Sequence, residues 1–168
     1  MSLTLDPAYA RQLRAAQGYA ELGMIPDALA ELDDIAPEFR SRLEAYVLRL
    51  EILQAAKRWP EGASAGREAL ELFPGCGALY LMTAFAVRRS QGLEEAKALL
   101  TSAENLLAED AMFHYNLGCY ECLLGNRRVA ETRLLRALHL DPKYREIGMK
   151  DEDLQAMWEW LATCGPTV

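Results

Sequence analysis

The sequence predicts an all-α protein built as a solenoid of four helix-turn-helix repeats and closed by a C-terminal capping helix. Small residues recur at a fixed spacing along most of the chain, and turn signals recur between them. Runs that alternate apolar and polar residues, as a half-buried β-strand would, are nearly absent. Hairpins of constant length are expected to stack in the same way along the whole array.

The period is visible at a small residue in each second helix. Ala28, Ala96 and Ala130 are separated by 68 and then by 34 residues (96 − 28 and 130 − 96), and Gly62 lies halfway between Ala28 and Ala96. No insertion interrupts this register. The repeats therefore span residues 9–42, 43–76, 77–110 and 111–144.

Caps, turns and prolines place the helices within each repeat. Asp6-Pro7 is typical of an N-cap followed by the first helical residue, and Leu22-Gly23 and Leu124-Gly125 indicate turns. Pro26 and Pro60 open second helices, where the missing N–H has no intrahelical partner to lose. The expected helix pairs are 7–22 with 26–36, 41–56 with 60–73, 77–90 with 94–107, and 111–124 with 127–140.

The pattern changes after Pro142, and residues 145–168 are expected to cap the array. Four apolar residues follow the i, i+3, i+4, i+7 spacing of an amphipathic helix over 151–162: Leu154, Met157, Trp158 and Leu161. Cys164-Gly165-Pro166 is predicted to stop this helix. A terminal hairpin has no neighbour to cover it, so a capping helix is the expected end of such an array.

These residues resemble the tetratricopeptide repeat (TPR) family. The fourth unit carries the best match: Asn116-Leu117-Gly118, Leu124-Gly125, Ala130, Leu134, Ala137 and Leu140-Asp141-Pro142. The second unit departs most, because Gly66 stands where a large apolar residue is usual. The resemblance covers residues 9–144. It implies a right-handed superhelix, a single domain over 1–168 and a ligand groove on the concave side.

Composition and charge exclude several function classes. Lys and Arg number 18 against 25 Asp and Glu, which gives a formal charge of −7, and 51% of the residues are apolar. A disordered chain would be poorer in apolar residues, and a nucleic-acid-binding protein would need a surplus of positive charge. The N-terminus lacks the basic and apolar regions of a secretory signal, and no stretch is long and apolar enough to cross a membrane. A cytoplasmic protein is expected.

In TPR proteins the ligand groove is lined by one face of the first helices. The resemblance implies that the matching positions of this sequence line a similar groove. Counted from residues 9, 43, 77 and 111, position 5 of every repeat is apolar, and position 9 or position 12 carries a polar residue in each of the first three repeats. The predicted lining is Leu13, Gln17, Val47, Glu51, Gln54, Leu81, Phe85, Arg88, Met112, Tyr115 and Cys119. Such a face suits a peptide or helical segment of another protein. The alternatives are that the chain's own terminal segment or a second copy covers it.

The sequence gives little support for a carboxylate clamp, a metal site or a catalytic site. The carboxylate clamp with which some TPR proteins hold chaperone tails needs Lys, Asn and Arg, but Leu13, Gln17 and Leu48 occupy its first positions. Cys119 and Cys122 have metal-ligand spacing without a second pair of ligands nearby. No nucleophile elbow or phosphate loop occurs. Neither an enzyme nor a bound metal or cofactor is expected.

The sequence therefore predicts a non-catalytic interaction module or adaptor. A narrower alternative is a secretion chaperone, since the size and repeat content resemble the TPR chaperones of bacterial type III systems. Those usually have three repeats and an N-terminal extension, whereas this chain has four repeats. A homodimer or another self-assembling or accessory subunit is the remaining alternative.

Overall fold

The computed structural model describes residues 6–164, and its regular structure in that range is helical throughout, as predicted. Residues 1–5 and the predicted helix stop at Gly165-Pro166 lie outside the described residues. The chain divides into two compact units, one ending at Gly92 and the other beginning at Leu93.

Unit 1 contains the first two predicted hairpins and the first helix of the third repeat. Its helices are α1 (Pro7–Glu21), α2 (Ile25–Asp33), α3 (Pro37–Arg40), α4 (Leu43–Ala55), α5 (Trp59–Leu72) and α6 (Gly77–Ser90). Helix α1 packs on α2, α4 on α5, and α5 on α6. Tyr9, Ala16 and Ile35 form part of one buried cluster, and Leu50 and Leu79 belong to a second.

The ends of the first hairpin follow from local chemistry. The Asp6 carboxylate accepts hydrogen bonds from the backbone N–H groups of Ala8 and Tyr9, which confirms the predicted N-cap. Helix α2 ends at Asp33, earlier than the predicted residue 36. Proline at position 37 disfavours the helical conformation at the preceding residue, and Ala36 is extended with ψ 140°. The short α3 that follows was not predicted.

In three of the four repeats, the turn between the two helices of a hairpin has a residue in the left-handed region at the same repeat position. Gly23 fills this position in the first repeat with φ 74°, and Gly125 fills it in the fourth with φ 80°. Lys57 occupies the equivalent position in the second repeat with φ 56°. A side chain is disfavoured there, so the second turn is strained relative to the other two.

Unit 2 contains the rest of the described chain. Its helices are α7 (Leu93–Ser102), α8 (Glu104–Leu107), α9 (Ala111–Leu123), α10 (Arg127–Leu140), α11 (Lys143–Gly148) and α12 (Trp158–Thr163), with a 3₁₀ segment at Glu152–Met157. Helices α9 and α10 form a tightly packed hairpin. The predicted continuous helix 94–107 is interrupted at Ala103, next to Ser102, whose hydroxyl bonds back to the Leu99 carbonyl.

The predicted C-terminal cap is present, but it is not one helix. Helix α11, which was not predicted, precedes the 3₁₀ segment, and only the part of the predicted helix 151–162 from Trp158 onward is α-helical. Leu154, Met157 and Leu161 are nevertheless buried, as their spacing indicated. Trp158 is half-buried, and its indole N–H donates to the carbonyls of Gly148 and Asp151.

Candidate functional site

The predicted groove residues of unit 1 lie on α1, α4 and α6. We call the side of these helices that carries Leu13, Val47, Leu81 and Phe85 the first-helix face. Leu13 and Val47 are half-buried because each packs against a core cluster of unit 1. Leu81 is also half-buried, whereas 40% of Phe85 is exposed. Most of these apolar side chains are therefore partly buried in the core and partly exposed to solvent.

Phe85 is held in an aromatic cluster that includes a residue the groove prediction missed. The Trp59 ring stands edge-on to Phe85, with centroids 5.7 Å apart at 73°. The Arg89 guanidinium lies 3.6 Å from the Phe85 centroid and 5.2 Å from that of Trp59. Edge-to-face aromatic pairs and cation–π contacts each stabilise such a cluster by about 0.5–1.5 kcal/mol. The exposed ring is therefore pre-oriented.

The polar residues of the first-helix face have different roles. The Gln54 side chain is half-buried and donates to the Met82 carbonyl at 2.9 Å, which ties α4 to α6. Gln17 donates to Glu21 along α1 at 3.2 Å. Glu51 is exposed, and Arg88 is half-buried. Gln54 is thus partly structural, whereas the Glu51 carboxylate is open to solvent.

In unit 2 the chain itself covers two of the predicted lining residues. Tyr115 and Cys119 are 6% and 3% exposed, although Met112, on the same helix, is 48% exposed. The Tyr115 hydroxyl donates to Asp151 Oδ2 at 2.6 Å, and Cys119 Sγ lies 3.8 Å from the same oxygen. Burial, together with the hydrogen bond to Asp151, raises the pKa of Tyr115. These two side chains are not accessible to a partner.

The segment that covers Tyr115 and Cys119, residues 144–161, is firmly attached to α9. We call it the covering segment. The Tyr144 ring packs against Tyr115 with centroids 4.8 Å apart and ring planes at 33°, and a Cβ added at Gly148 would lie 3.6 Å from the same Tyr115 ring. Asp151 also caps the 3₁₀ segment by accepting from the Asp153 N–H at 3.0 Å. This arrangement corresponds, within unit 2, to the sequence-derived alternative in which the chain's own terminal segment covers the apolar stripe.

Two of these residues could not be identified as site residues from the repeat register. Trp59 belongs to a second helix, and Trp59-Pro60 carries the signal of a helix start rather than of a binding surface. Asp151 begins the segment 151–162 that is predicted as the capping helix, and nothing in that pattern indicates that its carboxylate contacts α9. In both cases the contact joins residues more than 20 positions apart.

The described residues offer no arrangement suited to metal binding. Within 6–164 no group of three or more His, Cys, Asp or Glu side chains could hold a metal ion. Burial raises the pKa of the Cys122 thiol, which disfavours the reactive thiolate. Over the same range no helix has the length and apolar character that a membrane span requires.

The comparisons with known proteins agree with this architecture. No family model and no curated protein matches the sequence. Among solved structures, the chain is similar to one titled "MamA RS-1 ArsTM double mutant", with a TM-score of 0.70 and 15% sequence identity. That match covers 83% of this chain and 79% of the other. The fold is therefore an all-α helical-repeat solenoid of the TPR type.

Proposed function

We propose that the protein is a TPR-family adaptor that acts as a single non-catalytic domain and binds a peptide or helical segment of another protein. The binding surface is the first-helix face of unit 1. The observation that carries the proposal is the half-exposed Phe85 ring, fixed between Trp59 and Arg89. Trp, Tyr and Arg are the residue types most enriched at binding hot spots.

The surroundings of Phe85 define the kind of segment that fits. An apolar side chain of the partner would cover the exposed part of the ring and the half-buried Leu81. Glu51 offers a carboxylate on the neighbouring helix to a basic or amide group. The groove prediction for Tyr115 and Cys119 is not carried into this surface, because the chain itself covers both.

The experiment is affinity purification from the native host with Phe85→Asp, followed by quantification of the bound proteins. Truncation at a hot spot costs about 2 kcal/mol or more, so we expect the specific partner to be depleted roughly 30-fold. Leu72→Asp is the matched control, since it places the same charge on an apolar residue of unit 1 that is 48% exposed at the end of α5. An unchanged set of partners for Phe85→Asp would reject the first-helix face.

The same variant separates the adaptor from its alternatives. Light scattering of the wild type measures the mass in solution. A dimer that dissociates in Phe85→Asp but not in Leu72→Asp would identify a second copy as the occupant and would replace the adaptor proposal by self-assembly. A secretion chaperone would use the same face for an extended segment of a secreted protein, and it would be recognised from the identity of the captured partner.

A further inference from the structure

The charges of the first-helix face are distributed unevenly. Helix α4 carries two exposed carboxylates on this side, Glu44 and Glu51, which lie about one turn before and about one turn after Val47. Seven residues separate them (51 − 44), so they are about 10 Å apart along the helix axis. Within residues 6–164 neither carboxylate has an ion-pair partner. The α4 part of the face therefore carries uncompensated negative charge.

The arginines nearest to these carboxylates in the sequence are engaged elsewhere. Arg49 pairs with Asp33 of α2 at 2.6 Å. Arg42, the residue before α4, lies over the rings of Tyr9 and Phe39, with its guanidinium carbon 5.2 and 4.6 Å from their centroids. Neither arginine therefore neutralises the α4 carboxylates by direct contact.

The positive charge of the face lies at the C-terminal end of α6. Arg88 and Arg89 follow Phe85 by three and four residues (88 − 85 and 89 − 85). Arg89 lies over the rings of Phe85 and Trp59, and it donates to the Phe85 carbonyl at 3.3 Å. Because like charges repel, a cationic side chain of a partner is disfavoured beside these arginines and favoured beside α4.

One hydrogen bond sets the distance between the Glu51 carboxylate and the Phe85 ring. The Gln54 side chain donates to the Met82 carbonyl at 2.9 Å. Glu51 is one turn before Gln54, and Phe85 is one turn after Met82. Helices α4 and α6 run in the same direction, because a short connection joins each of them to α5 and each packs against it. Glu51 and Phe85 are therefore about 9 Å apart along the helix axes and, with an interaxial distance of about 8–10 Å, roughly 13 Å apart in all.

We propose that the segment bound by the first-helix face is basic and extended, with a Lys or Arg that pairs with Glu51 and an apolar side chain, about four residues away, that covers Phe85. This inference rests on the proposed function, since it specifies the partner of the same surface. An extended chain advances about 3.3 Å per residue, so four residues span the roughly 13 Å between the two groups. A second basic residue about three positions beyond the first would meet Glu44.

Tryptophan indole signals in NMR spectra report binding, because the chain contains only three tryptophans. Trp59 stands edge-on to Phe85, whereas Trp158 and Trp160 lie in α12 of unit 2 and serve as internal references. The probes are acetylated and amidated glycine–serine peptides that contain one phenylalanine and, four positions away, one lysine, glutamine or glutamate. Each peptide is titrated into ¹⁵N-labelled protein. We expect the Trp59 signal to shift and saturate, while the two reference signals stay constant.

The charge series measures what the α4 carboxylate contributes. An exposed ion pair changes an affinity by about threefold, so the lysine peptide should bind the wild type about threefold more tightly than the glutamine peptide. The glutamate peptide should bind about tenfold more weakly than the lysine peptide. A lysine placed directly next to the phenylalanine cannot reach Glu51 and should lose most of this preference. Equal affinities of the lysine and glutamate peptides would overturn the inference.

Charge reversal assigns the preference to one residue. Glu51→Lys is expected to reverse the order, so that the glutamate peptide binds more tightly than the lysine peptide. Glu71→Lys makes the same change on an exposed residue of α5, a second helix, and should leave the preference for lysine within about twofold of the wild-type value. Both side chains are exposed, so neither replacement disturbs the core. Equal effects of the two variants would indicate general attraction and would reject the inference.

The outcomes separate this inference from the proposed function. If no peptide gives a saturable shift of Trp59, or if Phe85→Asp leaves binding unchanged, the first-helix face is rejected and the inference with it. If the lysine and glutamate peptides bind equally well and Phe85→Asp abolishes binding of both, the face stands and only the basic character of the segment is rejected.

Discussion

Replacement of Gly66 by alanine probes a close helix–helix contact of unit 1. Gly66 lies in α5 against Thr83 of α6. A Cβ at position 66 would lie 2.3 Å from Thr83 Oγ1, 2.7 Å from Cγ2 and 2.9 Å from Cβ. Rotation of the Thr83 side chain moves Oγ1 and Cγ2 but not Cβ. The contact between the added Cβ of residue 66 and the Cβ of Thr83 therefore remains. Thr83 is also fully buried, so one of the two helices must move.

The expected magnitude follows from two opposing effects. Overpacking a core contact costs about 1–3 kcal/mol, whereas alanine is favoured over glycine within a helix by about 1 kcal/mol. Since three atoms lie closer than 3.0 Å, we expect the cost of overpacking to be near its upper limit. The net loss in the free energy of unfolding is then about 1–2 kcal/mol.

Urea unfolding followed by far-ultraviolet circular dichroism measures this loss. Gly18→Ala is the matched control, because Gly18 is in α1 and no atom lies within 4 Å of its added Cβ; it should gain about 0.5–1 kcal/mol. Thr83→Ala removes two of the three close contacts and should restore about 1 kcal/mol to Gly66→Ala. A Gly66→Ala protein as stable as the wild type would refute the reasoning.

Three further predictions concern other parts of the molecule. Lys57→Gly should stabilise unit 1 by about 1 kcal/mol in urea unfolding, because Lys57 has φ 56°, whereas Gly23→Lys should destabilise it. Asp151→Ala should cost about 1–3 kcal/mol and accelerate thiol labelling of Cys119 in a protein whose other cysteines are serine, whereas Asp151→Asn, which keeps an acceptor, should change both less. Burial and the hydrogen bond to Glu68 raise the pKa of Tyr46 to about 12, so its contribution to stability is present below pH about 10 and is lost toward pH 12. Tyr46→Phe should therefore lose less stability than the wild type over that pH range.

The helical repeat could be predicted from the sequence because its signals are local. Turn glycines, small residues and prolines act within a few residues of the backbone that they shape. The end of α2 was predictable only in part, since Pro37 accounts for the extended Ala36 but not for the end of the helix at Asp33. Gly66 shows the limit of such reasoning. The sequence shows that it departs from the repeat, but only packing shows that Thr83 fills the space.

The candidate site was less predictable, because it depends on contacts between distant residues. The register placed Phe85 on the first-helix face, but it gave no signal that Trp59 and Arg89 hold the ring. It also assigned the same role to Tyr115 as to Leu81, although Asp151 and Tyr144 cover the tyrosine. An apolar stripe has the same sequence pattern whether a foreign partner or its own chain covers it.

The energetics of the covering segment indicate that a partner does not displace it from α9. Leu154, Met157 and Leu161 are at most 1% exposed, and burial of each such side chain contributes about 1.5–3 kcal/mol. The segment is also tethered, which gives it an effective concentration of the order of millimolar. A peptide of micromolar affinity gains only about 8 kcal/mol on binding, and the free energy needed to open the segment would cancel most of that gain. This favours the proposed binding surface at Phe85, where the aromatic surface is already open, and the segment over Tyr115 acts as part of the core of unit 2.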